Sequence, residues 1–188
     1  PNRWWGYRAL FSFVPETGRH YRLRIDHLDY RAHLWLNHHP IGDSMNASVP
    51  FYTEITSHLT EKNQLDILVE HAPQEHGQIG YTSQTHTQKP RFNYKWDWCM
   101  RMVSIGIGSP VYLEEFGSSA IEALRTEQRF CGSSCHLSGE LTLFGFEKAL
   151  QKLSAALVFE GEKVTDWSAS VSLVPGIQTL SFSLEIPE

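Results

Sequence analysis

Apolar and polar residues alternate in short runs along most of this chain, the two-residue period of half-buried β-strands. In the first half, residues 5–13, 21–28, 32–36 and 64–70 are predicted strands. Within 21–28, Leu23 and Ile25 face one way while Arg22, Arg24 and Asp26 face the other; within 64–70, Leu65, Ile67 and Val69 are in phase. Asn37, His38, His39, Pro40 and Gly42 supply turn chemistry between them. Residues 55–59 are expected to form a short turn that positions Leu59, and 111–114 to close the unit. No helical period is sustained here.

After Phe116-Gly117-Ser118-Ser119 the aromatic density falls and a plainer pattern begins. Residues 121–129, 137–143, 152–159, 163–173 and 179–186 are predicted strands. The last is the cleanest, with Leu180, Phe182, Leu184 and Ile186 alternating with Ser181, Ser183 and Glu185. Residues 146–157 also admit a helix, because Leu150, Leu153 and Leu157 share a stripe. The expectation is an all-β chain of two domains, 1–117 and 118–188, the second a smaller sandwich lacking its last strands if the chain is truncated at Glu188. The chain opens on Pro1 and stops directly after a strand, as a piece of something longer would.

Composition narrows the function classes. A chain of 188 residues with 41% apolar and 20% charged residues has ample material for a globular core. Net charge is −5 and the sixteen Lys and Arg are scattered, which leaves nucleic-acid binding without an electrostatic footprint. No run is long enough for a membrane span and no charged-then-apolar leader opens the chain. Cys131 and Cys135 lack a second pair or a nearby His pair, which argues against zinc. A disulfide between them stays open, although three thiols in all suit a reducing, cytoplasmic compartment better. His38-His39 point to opposite faces of an extended segment, and neither His71 nor His76 has a partner at ligand spacing. No metal or cofactor is expected. Glu114-Glu115 face apart on a strand and read as an exposed edge and strand end, not as an acid/base pair.

The chemistry concentrates in one place. From 71 to 90 the apolar pattern almost vanishes, and a polar connection of that length inside a compact domain is usually functional or disordered. It leads into Arg91-Phe92-Asn93-Tyr94-Lys95-Trp96-Asp97-Trp98-Cys99-Met100-Arg101, where eleven residues hold four aromatics, three cations, an amide and one carboxylate. Trp-Asp-Trp suits a sugar: a ring face covers its C–H surface while the carboxylate accepts from its hydroxyls. Equally, both indoles could be core and Asp97 could cap a turn. Asn93, Tyr94, Lys95 and Arg101 read as solvated loop and domain-packing residues.

Lys89 to Trp98, followed by Arg101-Met102-Val103 and Gly106-Ile107-Gly108, resembles the signature closing the N-terminal domain of family 2 glycoside hydrolases, nearest the β-mannosidase-like branch. Trp5-Gly6-Tyr7-Arg8, the run from Leu28 to Asn37, Pro50-Phe51-Tyr52, Ile55-Thr56 and Asn63-Gln64-Leu65 agree with that family. The resemblance covers residues 4–115 strongly and the remainder in outline. It implies a jelly-roll (galactose-binding-like) β-sandwich, then an immunoglobulin-like β-sandwich, then a catalytic barrel holding two glutamates. This chain ends before such a barrel, so no catalytic residue is assigned. The resemblance further implies that Asp97 accepts hydrogen bonds from the terminal sugar and that Trp96 walls the pocket. Trp98 is divided between that pocket and the core, because alternation places it opposite Asp97. The implied partners are a carbohydrate substrate and the barrel of the same parent chain, with mannose the first expectation for the sugar. An autonomous carbohydrate-binding module and a purely structural pair of sandwiches are the rival readings. Three departures stand out. Gly108 replaces a usual Trp, Cys99 stands where Gly is common, and Asn37-His38 replaces Asn-Gly, so that hairpin must change geometry or strain His38.

Overall fold

The computed structural model describes residues 3–73, 88–95 and 97–186. The chain divides into two compact units, Pro1–Glu115 and Phe116–Glu188. Most of the polar connection before the aromatic segment, residues 74–87, lies outside the described residues.

The first unit contains β1 (Trp5–Ser12), β2 (His20–Ile25), β3 (Leu28–Asp29), β4 (Ala32–Leu36), β5 (His39–Ser44), β6 (Phe51–Glu54), β7 (Lys62–Val69), β8 (Gly106–Ile107) and β9 (Val111–Phe116). One sheet runs β1-β7-β4-β5, a second runs β6-β2-β9, and β3 pairs with β8 as a short ribbon. Strand β7 is central because it finds antiparallel partners on both sides: Leu65 lies opposite Ala9 and Ile67 opposite Leu34. The alternation read from the sequence decides what goes inside. Tyr21, Leu23 and Ile25 of β2 meet Ala32, Leu34 and Leu36 of β4 and Leu65, Ile67 and Val69 of β7 in one buried cluster. Each of these leucine, isoleucine and valine side chains stabilises the fold by about 1.5–3 kcal/mol on leaving water. One 3-10 turn, Thr56–His58, delivers Leu59 into that core.

The polar face of β2 is also organised. Glu114 accepts from Arg22 Nε at 2.9 Å and from Arg24 Nη1 at 2.6 Å. The guanidinium of Arg22 lies 5.1 Å from the Tyr52 ring centroid and that of Arg24 lies 4.6 Å from that of Tyr112. Glu114 is therefore not the exposed edge expected from sequence; two arginines on the neighbouring strand hold its half-buried carboxylate. Glu115 does face the other way, accepting from the Tyr21 hydroxyl at 3.2 Å.

The hairpin between β4 and β5 resolves the question posed by Asn37-His38. Both residues hold positive φ, 50° and 68°, and Leu36 pairs with His39 across a two-residue loop. The turn keeps the geometry that Asn-Gly would give, with His38 in the left-handed region.

The second unit contains β10 (Ser119–Cys131), β11 (Ser134–Gly145), β12 (Ala149–Phe159), β13 (Glu162–Leu173) and β14 (Gly176–Ile186). Three strands form the order β10-β11-β14, and β12 pairs with β13. Leu137, Phe182 and Leu184 meet Ala155 and Trp167 between these sheets. The helical alternative for 146–157 is wrong: residues 149–159 are strand, because pairing with β13 along its whole length outweighs the leucine stripe. Cys99, Cys131 and Cys135 are all free thiols.

Candidate functional site

Two stems of one long excursion enter and leave the first sandwich beside β3. On the way in, the Ala47 N–H donates to Gln88 O at 2.9 Å, and Asn46 forms a parallel bridge with Gln88. On the way out, Gly106 and Ile107 pair with Asp29 and Leu28. Gly106 has φ 124°, and a side chain there would begin 2.5 Å from the Tyr7 hydroxyl, so both backbone and space demand glycine. At Gly108 a Cβ would lie 2.3 Å from the His27 ring, while the Gly108 N–H donates to His27 O at 2.9 Å. The imidazole of His27 fills the space that a ring at position 108 would need.

Between the stems, the aromatic segment is not a strand. Phe92–Tyr94 makes one 3-10 turn, Lys95 takes φ 139°, and Asp97 and Trp98 sit in a further turn. The positive φ at Lys95 is a conformation that side chains rarely adopt, and it breaks the alternation on which a strand reading depends. Trp98 is consequently 80% exposed. Of the two placements open to it, pocket or core, the core is not the one it takes, since no pleat operates at this position. Asp97 is exposed as well, as are Cys99 and Met100, and Phe92 and Met102 are 76% and 71% exposed. Trp96 lies outside the described residues.

The excursion is tied down from below. Tyr94 is buried, a packing residue and not a solvated one among the two roles expected for this group, and burial foremost pushes its phenol up to about 12. The Arg101 guanidinium lies 5.4 Å from the Tyr94 ring centroid. The Met102 N–H donates to Asn93 O at 2.9 Å, and Asn93 Nδ2 donates to Ser104 Oγ at 3.2 Å.

Beneath these contacts is a feature that the sequence did not single out. Lys89 Nζ lies 2.5 Å from Asp29 Oδ1, its side chain fully buried and that of Asp29 only 4% exposed. The same ammonium donates to Ser104 O, and Ser104 Oγ donates to Asp29 Oδ2 at 3.1 Å. Removing one member of such a buried pair costs about 3–5 kcal/mol, because the remaining charge is left without its partner. Sequence alone offers a weak signal: Lys89 and Ser104 are ordinary polar residues until the fold brings both stems to Asp29.

An exposed carboxylate beside an exposed indole, on a turn anchored at its base, can accept hydrogen bonds from a hydroxylated ligand while a ring covers its apolar face. Among the described residues no group of three or more His, Cys, Asp or Glu is placed to hold a metal ion.

Comparison with known proteins gives this arrangement a context. The family model described as glycosyl hydrolase 2 galactose-binding domain-like matches residues 1–109. The chain is 28% identical to β-mannosidase B of Thermothelomyces thermophilus over 199 aligned positions, covering 97% of this chain and 23% of that protein. Among solved structures, the β-D-mannosidase of Dictyoglomus thermophilum superposes with a TM-score of 0.81 at 19% identity, over 98% of this chain and 24% of that one. The β-glucuronidase of Bacteroides uniformis gives 0.73 at 18% identity, over 99% and 22%. The chain thus spans less than a quarter of the length of these relatives. Both structural likenesses carry the all-β, two-sandwich fold. With more than half of its residues matched by the family model, the chain belongs to the glycosyl hydrolase 2 galactose-binding domain-like family.

Proposed function

We propose that this chain is the non-catalytic N-terminal part of an exo-acting, β-mannosidase-like family 2 glycoside hydrolase. Its aromatic turn lines the mouth of an active site whose catalytic barrel belongs to the same polypeptide. Asp97 accepts hydrogen bonds from hydroxyls of the terminal sugar, and Trp96 and Trp98 supply ring surface beside it. The observation that supports this reading is the exposure of Asp97 and Trp98 together on a turn whose base is anchored. A purely structural pair of sandwiches would instead be expected to seal that aspartate inside.

Bond cleavage in this reading is the work of two glutamates on the barrel, acting as nucleophile and acid/base about 5 Å apart, with retention of configuration. The present residues bind and orient; they transfer no proton. A charge-assisted acceptor becomes effective there once the barrel and sugar exclude water from it.

The test compares two proteins. The 188-residue chain should leave an aryl β-mannoside intact and bind mannosides weakly in calorimetry. The full-length protein should hydrolyse the mannoside and release the β-anomer first by NMR. Turnover by the chain alone would refute the non-catalytic assignment. Tight binding by the chain alone would favour an autonomous carbohydrate-binding module.

A further inference from the structure

We infer that Lys89 is a positioning residue for the Asp97 turn, closing the base of the excursion as a clamp; this rests on the reading that Asp97 contacts substrate. Three observations carry it. First, the two stems are joined through one atom: Lys89 on the entering stem donates to Ser104 O on the leaving stem and to Asp29 Oδ1 in β3. Second, the clamp is saturated at Asp29, whose other oxygen accepts from Ser104 Oγ, and Ser104 Oγ accepts in turn from Asn93 inside the excursion. Third, the Lys89 side chain is fully buried.

An apolar side chain at position 89 would fill the same space without charge burial. Only a multiple donor fixes both stems in direction as well as distance, because an ammonium offers three N–H groups. The ends of residues 90–103 are thereby held at one point on β3, and the turn carrying Asp97 inherits that fixed origin. A displacement of about 1 Å in a group that contacts substrate is enough to lower turnover severely.

The test uses the full-length protein with Lys89→Met, the pair Lys89→Met with Asp29→Asn, Asp97→Ala, and Asp97→Ala combined with Lys89→Met. Amide hydrogen exchange in residues 91–103 should quicken by about tenfold or more in both Lys89 variants, while β4 and β7 keep their protection. For an aryl β-mannoside, kcat/KM should fall by about tenfold or more, chiefly through KM. Adding Lys89→Met to Asp97→Ala should lower it no further. The neutral pair removes the unpaired buried carboxylate, so melting temperature should recover relative to Lys89→Met alone, while KM and loop exchange should not. Recovery of KM together with melting temperature would make Lys89 merely structural and overturn the inference. So would unchanged exchange in 91–103. Should Asp97→Ala leave kcat/KM intact, the sugar-contact reading fails, and the exchange measurement still decides the clamp.

Discussion

The side-chain amide of Asn37 donates to Asn63 Oδ1 at 2.9 Å, joining the β4–β5 turn to the start of β7. The same amide nitrogen donates to His58 O at 2.8 Å, and Asn37 Oδ1 accepts from the Gln64 N–H at 2.8 Å. Asn63 itself is buried and accepts from the Thr60 N–H at 2.9 Å. One asparagine thus ties together the hairpin, the 3-10 turn and the central strand. Asn37→Ala should destabilise the first unit by about 2–3 kcal/mol, at roughly 1 kcal/mol for each hydrogen bond lost. Urea denaturation measures it; a change below about 0.5 kcal/mol, the range of ordinary surface substitutions, would show the bonds to be dispensable.

The neighbouring residue should respond in the opposite sense. His38 holds φ 68° with its side chain exposed. A left-handed conformation costs a residue with a Cβ about 1–2 kcal/mol, and glycine escapes most of that cost. His38→Gly should therefore stabilise the first unit by about 0.5–1 kcal/mol after allowing for the extra freedom of glycine when unfolded. The same denaturation series reads it.

In the second unit, the Phe182 ring occupies the space beside Gly139. A Cβ at 139 would lie 2.2 Å from Phe182 Cζ, and Trp167 flanks that ring with centroids 5.3 Å apart. Gly139→Ala should cost about 1–3 kcal/mol by overpacking and leave the first unit's stability unchanged. Exchange protection in β11 and β14 compared with β4 and β7 separates the two.

His33 supplies a pH dependence. Its Nε2 lies 2.8 Å from Glu70 Oε1 and its Nδ1 lies 2.7 Å from Asp43 Oδ1. These hydrogen bonds, that to Glu70 first, raise the imidazole above its ordinary 6.5. A group held more basic when folded stabilises fully below its unfolded value and loses that contribution as pH rises through the folded one. The stability advantage of wild type over His33→Gln should accordingly be largest below about pH 6.5 and shrink over the range above it. An NMR titration of His33 should place its midpoint in that same range.

Strand positions were legible because alternation survives wherever one face is buried: β4 matches its predicted bounds, and β2, β7 and β14 differ by a few residues. Several short elements escaped, among them β5, β6 and β8. In β5, Pro40 and Gly42 read as turn, although Ile41 and Ser44 are buried by pairing with β4. Strands β6 and β8 are too short to display a period and exist through their partners β2 and β3. The site was half legible. Residue types identified the aromatic segment, but its path depends on Lys95 and on a clamp whose members, Asp29, Lys89 and Ser104, are far apart in sequence. Pairings of that kind are set by tertiary structure and leave no local pattern.

The central claim is most directly tested by Asp97→Ala in the full-length protein, with kcat/KM measured on an aryl β-mannoside. Hydrogen bonds to a charged acceptor contribute about 1.5–3 kcal/mol each, so losing one should lower kcat/KM on the order of tenfold to a hundredfold while the melting temperature stays unchanged. A kcat/KM within about twofold of wild type, a difference below 0.5 kcal/mol, would contradict a sugar-contacting role for this carboxylate.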